Sequence, residues 1–472
     1  MSGPQESSAR PRIAYLSYSR GEYDARTFRM ARSAIDAGWH VTVYARWHPG
    51  LPPVEERDGY RIVRVSWNWQ LAVPGLRGRA RRRVARTMAR TSDAETASSP
   101  VTRPLLGRAV RVPRRALGRA WRLLTGLPER WHWWRRVREF PLRPMGWAAA
   151  LDDVAEPADI WHGMWAGSLP AIARMRGRHG GRTIYDSRDM FMRSREFARL
   201  GWPGRAVLEW FERHYAAEAD RVMTVNDAYA NRLGPSLHVP RPVVVMNCPE
   251  AWTPPTPRPD LIRQSLGLPA DTAVVLYQGI LTMERGIEQS MAAIADVPGA
   301  VLVLLGFGVM RDNLVRLTAQ PPYLGKVMLL PAVPPAELRL WTASADVLVM
   351  AIQPTTPNHR HTTPQKLFES FAAGVPVVAS DLPGMAPIVR ATGAGVVCDP
   401  TSPQAIAEAI KQVIDVSPAE QAAIRDRALR AAHDRYNWEA QVETLFGVYG
   451  DLLPEESRAA RLPARRATAR TS

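Results

Sequence analysis

The sequence predicts an α/β protein of two doubly wound domains, each built on a mostly parallel sheet. Three observations predict it. The chain has 472 residues, more than one hydrophobic core fills. Short apolar runs of strand length alternate with helix-period runs, and the series occurs twice. Between the two series lies NCPEAWTPPTPRPD, whose prolines suit a hinge and not an element. The expected division is an N-terminal domain over 1–247, a linker over 248–258 and a C-terminal domain over 259–435. A terminal helix over 436–456 is expected to pack back towards the first domain, with a basic tail over 457–472.

The first series opens with RIAYLS (Arg12 to Ser17) as a strand, then the loop SRGEYDAR and a helix from Thr27 to Ala37 stopped by Gly38. Val41 to Ala45 and Arg61 to Ser66 read as strands, which is the β-α-β order of a parallel sheet. From Gly75 to Arg143 the pattern dissolves into an arginine- and tryptophan-rich insert. It resumes with a strand at Asp159 to His162, a helix from about Ser168, the strand TIYDS (Thr183 to Ser187) and a helix through Leu208 to Ala219. Val222 to Val225 and Val243 to Met246 are further strands. The second series runs through strands at Ala273–Gln278, Ala300–Leu305, Val327–Leu330, Val347–Ala351, Pro376–Ser380 and Gly395–Cys398, with helices between and after them. Ligands of such sheets bind beyond the carboxyl ends of the strands, and a cleft between the two domains is the expected place.

The formal charge of +17 suggests a polyanion partner until it is located. Residues 75–143 carry +15 and residues 457–472 carry +5, so the rest of the chain sums to −3. No basic stripe crosses the folded body, which argues against nucleic-acid binding. Cys248 and Cys398 form no ligand or disulfide pattern, and neither a leader-like segment nor an apolar run of spanning length is visible, so a cytoplasmic protein is expected.

Lysine is almost absent: Lys326, Lys366 and Lys411 are the three. One of them opens a helix in HTTPQKLFESFAAGVPVVASDLPG, His361 to Gly384. Thr363 is the expected N-cap and Pro364 the first helical residue. Lys366 then lies at the positive end of the helix dipole, where a cation is unfavourable unless an anion joins it. Glu369, three residues on, shares its face and could pair with it, for about 0.2–0.5 kcal/mol at best, or accept ribose hydroxyls. The loop YQGILTMERGIEQ adds Gly279, Gly286 and Arg285, a guanidinium able to grip phosphate bidentately. Two cations and a helix start at strand carboxyl ends suit a diphosphate. The G-x-x-x-x-G-K-[ST] loop is absent.

These stretches, together with VLVLLGFG, PAVPPAEL and ADVLVMAI, resemble the family 4 retaining glycosyltransferases. DARTFRMARSAIDAGWHVTVYA, ADIWHGMWAGSLPA, TIYDSRDMF and VVVMNCPE extend the resemblance more weakly into the first half. It implies the GT-B fold, two facing Rossmann-like domains. It also implies transfer of a sugar from a nucleoside-diphosphate sugar to a hydroxyl acceptor, without cofactor or metal. By position, Lys366 and Arg285 match the cations on the donor diphosphate, and Glu369 matches the ribose-binding second Glu of E-x7-E. Ala332 and Val333 match the backbone that reads the base. Gly279, Thr362 and Thr363 complete the donor side, and Gly21 approaches the transferring sugar or acceptor. His162 stands where the family keeps a histidine near the reacting sugar, and Arg188 and Asp189 fall on the sugar or acceptor side.

Three positions depart from the pattern. His361 stands where many members have the first Glu, Ile280 where a cation usually follows the loop glycine, and Arg188 where Y-D-x-H-[ED] has its histidine. A degenerate sugar-nucleotide binder or scaffold is the alternative reading, and a polyanion-binding protein a weaker one. The resemblance implies no general base, because the leaving diphosphate can take the acceptor proton. In the insert, Trp121, Leu124, Trp131, Trp134, Val137 and Phe140 alternate with arginines at helical spacing. That pattern predicts peripheral contact with anionic lipid on the inner face of a membrane, near a lipid-linked acceptor of glycolipid or polysaccharide synthesis.

Overall fold

A computed structural model describes residues 10–78, 80–82, 128–194, 197 and 202–453. The tail over 457–472 and most of the insert over 75–143 therefore lie outside the described residues. By packing, the chain forms two units. One comprises Met1–Asp186, Arg199–Val222 and Leu452–Ser472, the other Ser187–Ala198 and Met223–Asp451.

The first series of elements is β1 (Arg12–Ser17), α1 (Ala25–Asp36), β2 (His40–Arg46), β3 (Val54–Arg57), β4 (Tyr60–Val65), α2 (Pro128–Leu151), β5 (Ile160–Met164), α3 (Leu169–His179), β6 (Arg182–Ser187), α4 (Trp202–Ala216), β7 (Arg221–Thr224), α5 (Asp227–Leu237) and β8 (Val243–Val244). The strands form one sheet in the order β3-β4-β2-β1-β5-β6-β7-β8. β1 pairs in parallel with β2 on one side and β5 on the other, whereas β3 is antiparallel to β4. β3 reads VEER and alternates half-buried with exposed, so it carried no apolar signal. Helix α1 starts two residues before the expected Thr27, because Asp24 caps it, its carboxylate accepting Thr27 N–H at 3.2 Å.

The second series comprises α6 (Leu261–Leu266), β9 (Ala273–Ile280), α7 (Ile287–Ile294), β10 (Ala300–Phe307), α8 (Arg311–Thr318), β11 (Val327–Leu330), α9 (Leu338–Ala343), β12 (Val347–Met350), α10 (Pro357–His361), α11 (Gln365–Ala372), β13 (Val377–Ser380), α12 (Ala386–Thr392), β14 (Gly395–Cys398), α13 (Pro403–Ile414), α14 (Pro418–Asp434) and α15 (Trp438–Leu452). Its sheet is ordered β11-β10-β9-β12-β13-β14, and every pairing is parallel. Alternate residues of one strand feed two cores. Val274 and Leu276 pack in one, Val275 and Tyr277 in the other. A strand covered on both faces is apolar throughout, which is why these strands stood out in the sequence.

Both sheets are Rossmann-like and doubly wound. Strand order reverses between β1 and β5 in the first and between β9 and β12 in the second. Those reversals put a crevice at the carboxyl ends of β1 and β5, and another at those of β9 and β12.

Candidate functional site

In the second unit the chain leaves β9 through Gly279, at φ +120°, into the 281–286 loop. Arg285 sits between two residues in the left-handed region, Glu284 (φ +68°) and Gly286 (φ +75°). A Cβ on Gly286 would lie 1.9 Å from the carbonyl oxygen of Ala351, just past β12, so only glycine lets the loop approach that strand end. Glu284 lacks that excuse. Its strained backbone is held by Gln353 N–H, which donates to its carbonyl at 3.0 Å. The partly buried Arg285 is thereby aimed by fixed backbone. Its positive charge acts on Lys366, Tyr277, Asp189 and Tyr229.

Helix α11 begins one residue later than the sequence suggested: Pro364 is the N-cap, at φ −72° and ψ 142°. Thr363, the expected cap, is buried and donates its hydroxyl to the Gly384 carbonyl instead. Lys366 stays in the first turn. Its Nζ donates to the Gln278 carbonyl at 3.3 Å and stands 4.0 Å from the centre of the Tyr277 ring. Burial, and then the charge of Arg285, push the ammonium down to about 7 against the opposing pull of Glu369. Burial of the Tyr277 hydroxyl pushes it up to about 12.

Both carboxylate oxygens of Glu369 accept side-chain amides, from Gln278 at 2.9 Å and from Gln365 at 2.9 Å. Gln278 in turn accepts the Thr342 hydroxyl at 2.7 Å. The line Thr342–Gln278–Glu369 fixes the carboxylate before any ligand arrives. Gln278 is 1% exposed within an otherwise apolar strand, and that lone polar residue was the signal sequence reasoning passed over.

The short helix α10 was also missed. Asn358 accepts the Tyr229 hydroxyl at 2.7 Å and the Met190 N–H at 2.9 Å. It also hydrogen-bonds Asp189, whose carboxyl burial raises against the lowering charges of Arg188 and Arg285. Asn226 Nδ2 donates to the His361 carbonyl at 2.9 Å and to Thr363 Oγ1 at 3.0 Å. Arg188, Asp189, Arg285, His361, Thr362, Thr363, Lys366 and Glu369 all belong to the second unit. The Nδ1 of His361 lies 2.8 Å from the Pro357 carbonyl. A carbonyl only accepts, so Nδ1 carries the proton in this contact. Ala332 is exposed and Val333 half-buried in the loop after β11. Ile280 is 56% exposed at the end of β9.

Gly21 and His162 belong to the first unit. Gly21 takes φ +67°, and its carbonyl accepts Arg64 Nη2 at 3.0 Å. His162 is 0% exposed on β5. Its Nε2 is 4.0 Å from Asp186 Oδ2, and its ring centre is 5.4 Å from that of Tyr15. Asp186 forms a buried two-pronged pair with Arg26, at 2.8 and 3.3 Å, which the sequence did not reveal. Among the described residues, no three His, Cys, Asp or Glu side chains gather as metal ligands would.

Residues 259–430 match the family described as "Glycosyl transferases group 1". An uncharacterised glycosyltransferase of Methanocaldococcus jannaschii is 30% identical over 190 residues, covering 40% of this chain and 47% of that protein. The D-inositol 3-phosphate glycosyltransferase of Acidothermus cellulolyticus is 31% identical over 274 residues, covering 55% of this chain and 58% of that one. The chain spans about half the length of the curated relatives it matches. Among solved structures, sucrose-phosphate synthase from Thermosynechococcus elongatus superposes with a TM-score of 0.66 at 18% identity, over 94% of this chain and 99% of that one. Anabaena HepE in complex with UDP-glucose gives 0.62 at 14% identity, over 93% and 100%. At such identities the structures show the fold, which is GT-B.

Proposed function

We propose, for a chain related to the family 4 glycosyltransferases of the GT-B fold, that it is a retaining glycosyltransferase. It would move a sugar from a nucleoside-diphosphate sugar to a hydroxyl acceptor, in glycolipid or polysaccharide synthesis of the cell envelope. One observation carries the reading. Lys366 and Arg285 meet at the carboxyl end of β9, beside the strand-order reversal, and their mutual repulsion helps press Lys366 down to about 7. Two cations held close by rigid backbone are stable once a diphosphate lies between them. Glu369, already oriented by Gln278, accepts the ribose hydroxyls. The backbone at Ala332 and Val333 reads the base, and Gly279, Thr362 and Thr363 line the donor.

In the transfer, the bond from the anomeric carbon to the diphosphate breaks and the acceptor oxygen bonds that carbon on the same face. The acceptor proton passes to the departing diphosphate. Charge on the leaving group is met by Arg285 and Lys366, so neither a metal nor a cofactor is required. His361 and the Arg188–Asp189 pair lie on the sugar side. In the first unit, Gly21 is the residue that approaches the sugar or acceptor, and His162 is the catalytic histidine near the reacting sugar. The protein acts in the cytoplasm, held peripherally on anionic lipid through residues 75–143.

A thermal-shift panel of UDP-, GDP-, ADP- and dTDP-sugars, repeated on Lys366→Ala, tests this. A ligand that binds only the native state raises its melting point. One donor is expected to do so, and the variant to lose the shift. No shift with any donor, or an equal shift in the variant, overturns the reading. Binding without turnover would select the scaffold alternative, which the departures at Ile280 and His361 favour.

A further inference from the structure

At the amino ends of β9, β12 and β13, opposite the strand ends that carry Lys366 and Arg285, the second unit gathers charge again. Asp346, the residue before β12, is shared by three guanidiniums. Its Oδ2 accepts Val274 N–H at 2.8 Å and Arg263 Nη2. Its Oδ1 accepts Arg258 Nη1 at 3.2 Å and Arg425 Nη2 at 3.4 Å. A carboxylate has about four lone-pair sites, so Asp346 has none left to offer. The fold accounts for two of these arginines. Arg258 directs Nε to the Ala343 carbonyl at 2.6 Å and Nη2 to the Ala345 carbonyl, which ties the linker to the start of β12. Arg263 of α6 directs Nε to the Thr272 carbonyl at 2.9 Å and Nη1 to the Asp260 carboxylate at 2.9 Å. Every side-chain nitrogen of both is engaged.

Arg425 of α14 has no such account. Among the described residues its one hydrogen bond is the 3.4 Å contact, to an oxygen that Arg258 already holds. That is longer than the usual N–H···O range of about 2.7–3.2 Å. Burial, and then the charge of Arg258, press the guanidinium down to about 10 against the pull of Asp346. A third cation here adds repulsion and no bond to the backbone. It also borders a space. Arg425, Arg263 and Asp346 line a cavity of about 240 Å³, and Gln421, one turn earlier on the same face of α14, lines it too. The other acid on this cavity is Asp271, which is exposed and, among the described residues, hydrogen-bonds none of the three arginines. A planar guanidinium with unused N–H groups fits the oxygens of phosphate or carboxylate.

We propose that this cavity is a binding site for a small molecule bearing a phosphate or carboxylate group, gripped by the Arg425 nitrogens that the fold does not use. The site lies at the other end of the sheet from the donor site and does not depend on that reading. The test melts the full chain in phosphate, in citrate and in chloride at equal pH and ionic strength. An oxyanion that binds only the folded protein raises the melting point with the logarithm of its concentration. A rise is expected in phosphate, in citrate or in both, and which of them acts identifies the group held. Arg425→Gln is expected to lose the rise and to melt in chloride no lower than the native chain, since a repelled cation is gone. Asp271→Asn is expected to enlarge the rise by removing an acid from the cavity. Lys366→Ala is expected to keep it, which separates this cavity from the donor end of the sheet. No rise in either oxyanion, a rise that survives Arg425→Gln, or one that vanishes in Lys366→Ala each overturns the proposal. So does an Arg425→Gln chain that melts well below the native one in chloride, because Arg425 is then a structural partner of Asp346.

Discussion

Two clusters of charge in this molecule follow opposite rules. In the first unit, Arg26 and Asp186 are 2% and 0% exposed, and each satisfies the other through two hydrogen bonds. In the second unit, burial and then the charge of Arg285 depress the Lys366 ammonium, and the nearby carboxylate, Glu369, is engaged by the amides of Gln278 and Gln365. The first arrangement is complete as folded. The second brings two cations to one strand end, and on the proposed reading it gains by receiving an anion. A self-satisfied buried pair marks architecture, and an unbalanced half-buried pair marks a ligand site.

The largest effect expected from breaking this contrast lies on the architectural side. Arg26→Ala leaves the Asp186 carboxylate buried without its guanidinium, beside His162, and should cost about 3–5 kcal/mol of stability. Chemical denaturation measures it. Replacing both members by apolar residues of similar volume should recover much of the loss. A variant that melts like the native protein would show that Asp186 has other support, and the contrast would dissolve.

On the ligand side the expectation inverts. Lys366→Ala should leave the fold intact or slightly firmer, since it removes a repelled cation. Turnover should fall by about 10²–10³-fold, the cost of removing one preorganised charge from a leaving group. Donor release assayed in steady state, alongside a melting curve, separates the two consequences. Loss of stability without loss of turnover would place Lys366 among the architectural charges.

A smaller effect tests the support beneath the site. Gln278→Leu removes the amide that fixes Glu369 and the acceptor of the Thr342 hydroxyl, both at buried positions. The Thr342 hydroxyl keeps the Leu338 carbonyl and Glu369 keeps the Gln365 amide, so the cost is that of a hydrogen bond to a charged group, about 1.5–3 kcal/mol. If the carboxylate is there to meet ribose, donor affinity should fall as well, and Glu369→Gln should weaken the donor while sparing stability. Stability falling alone would make Glu369 a structural acceptor.

The legibility of this chain in its sequence divides along the same physical line. Strands such as β9 and β10, covered on both faces, announce themselves as apolar runs, and helix α13, with Ser402 as its cap and Pro403 at its start, announces its own beginning. The strand β3 and the five-residue helix α10 did not. One is a polar edge, and the other is too short for a period. Lys366 and Arg285 were readable because glycine, proline and a rare lysine mark strand ends. The residues that support the site were not, because Asn226, Asn358 and Gln278 act through hydrogen bonds between segments far apart in the chain. The one-residue slip at α11 has the same origin: nothing local reveals that the Thr363 hydroxyl is taken by Gly384.

The smallest effect is the most diagnostic, because its two signs oppose. Lys366 sits at about 7 in the folded protein, well below an ordinary lysine at 10.5. Between those values the unfolded chain holds a proton that the folded one has shed. Lys366 therefore makes the ligand-free protein gain stability as pH rises through that window. A bound diphosphate reverses the preference, since it favours the ammonium and raises its pKa. Donor affinity should then be level below pH 7 and decline above it, by at most about tenfold per pH unit, with uptake of up to one proton on binding. Calorimetry in buffers of different ionisation heat reads the proton, and melting curves from pH 6 to pH 9 read the stability. Comparing native protein with Lys366→Ala isolates this group from every other that titrates. Native and variant curves that run parallel in both measurements would mean that the ammonium is not what the site offers to its ligand. Divergence in opposite directions requires a lysine held ready, at a cost in the empty protein, for an anion.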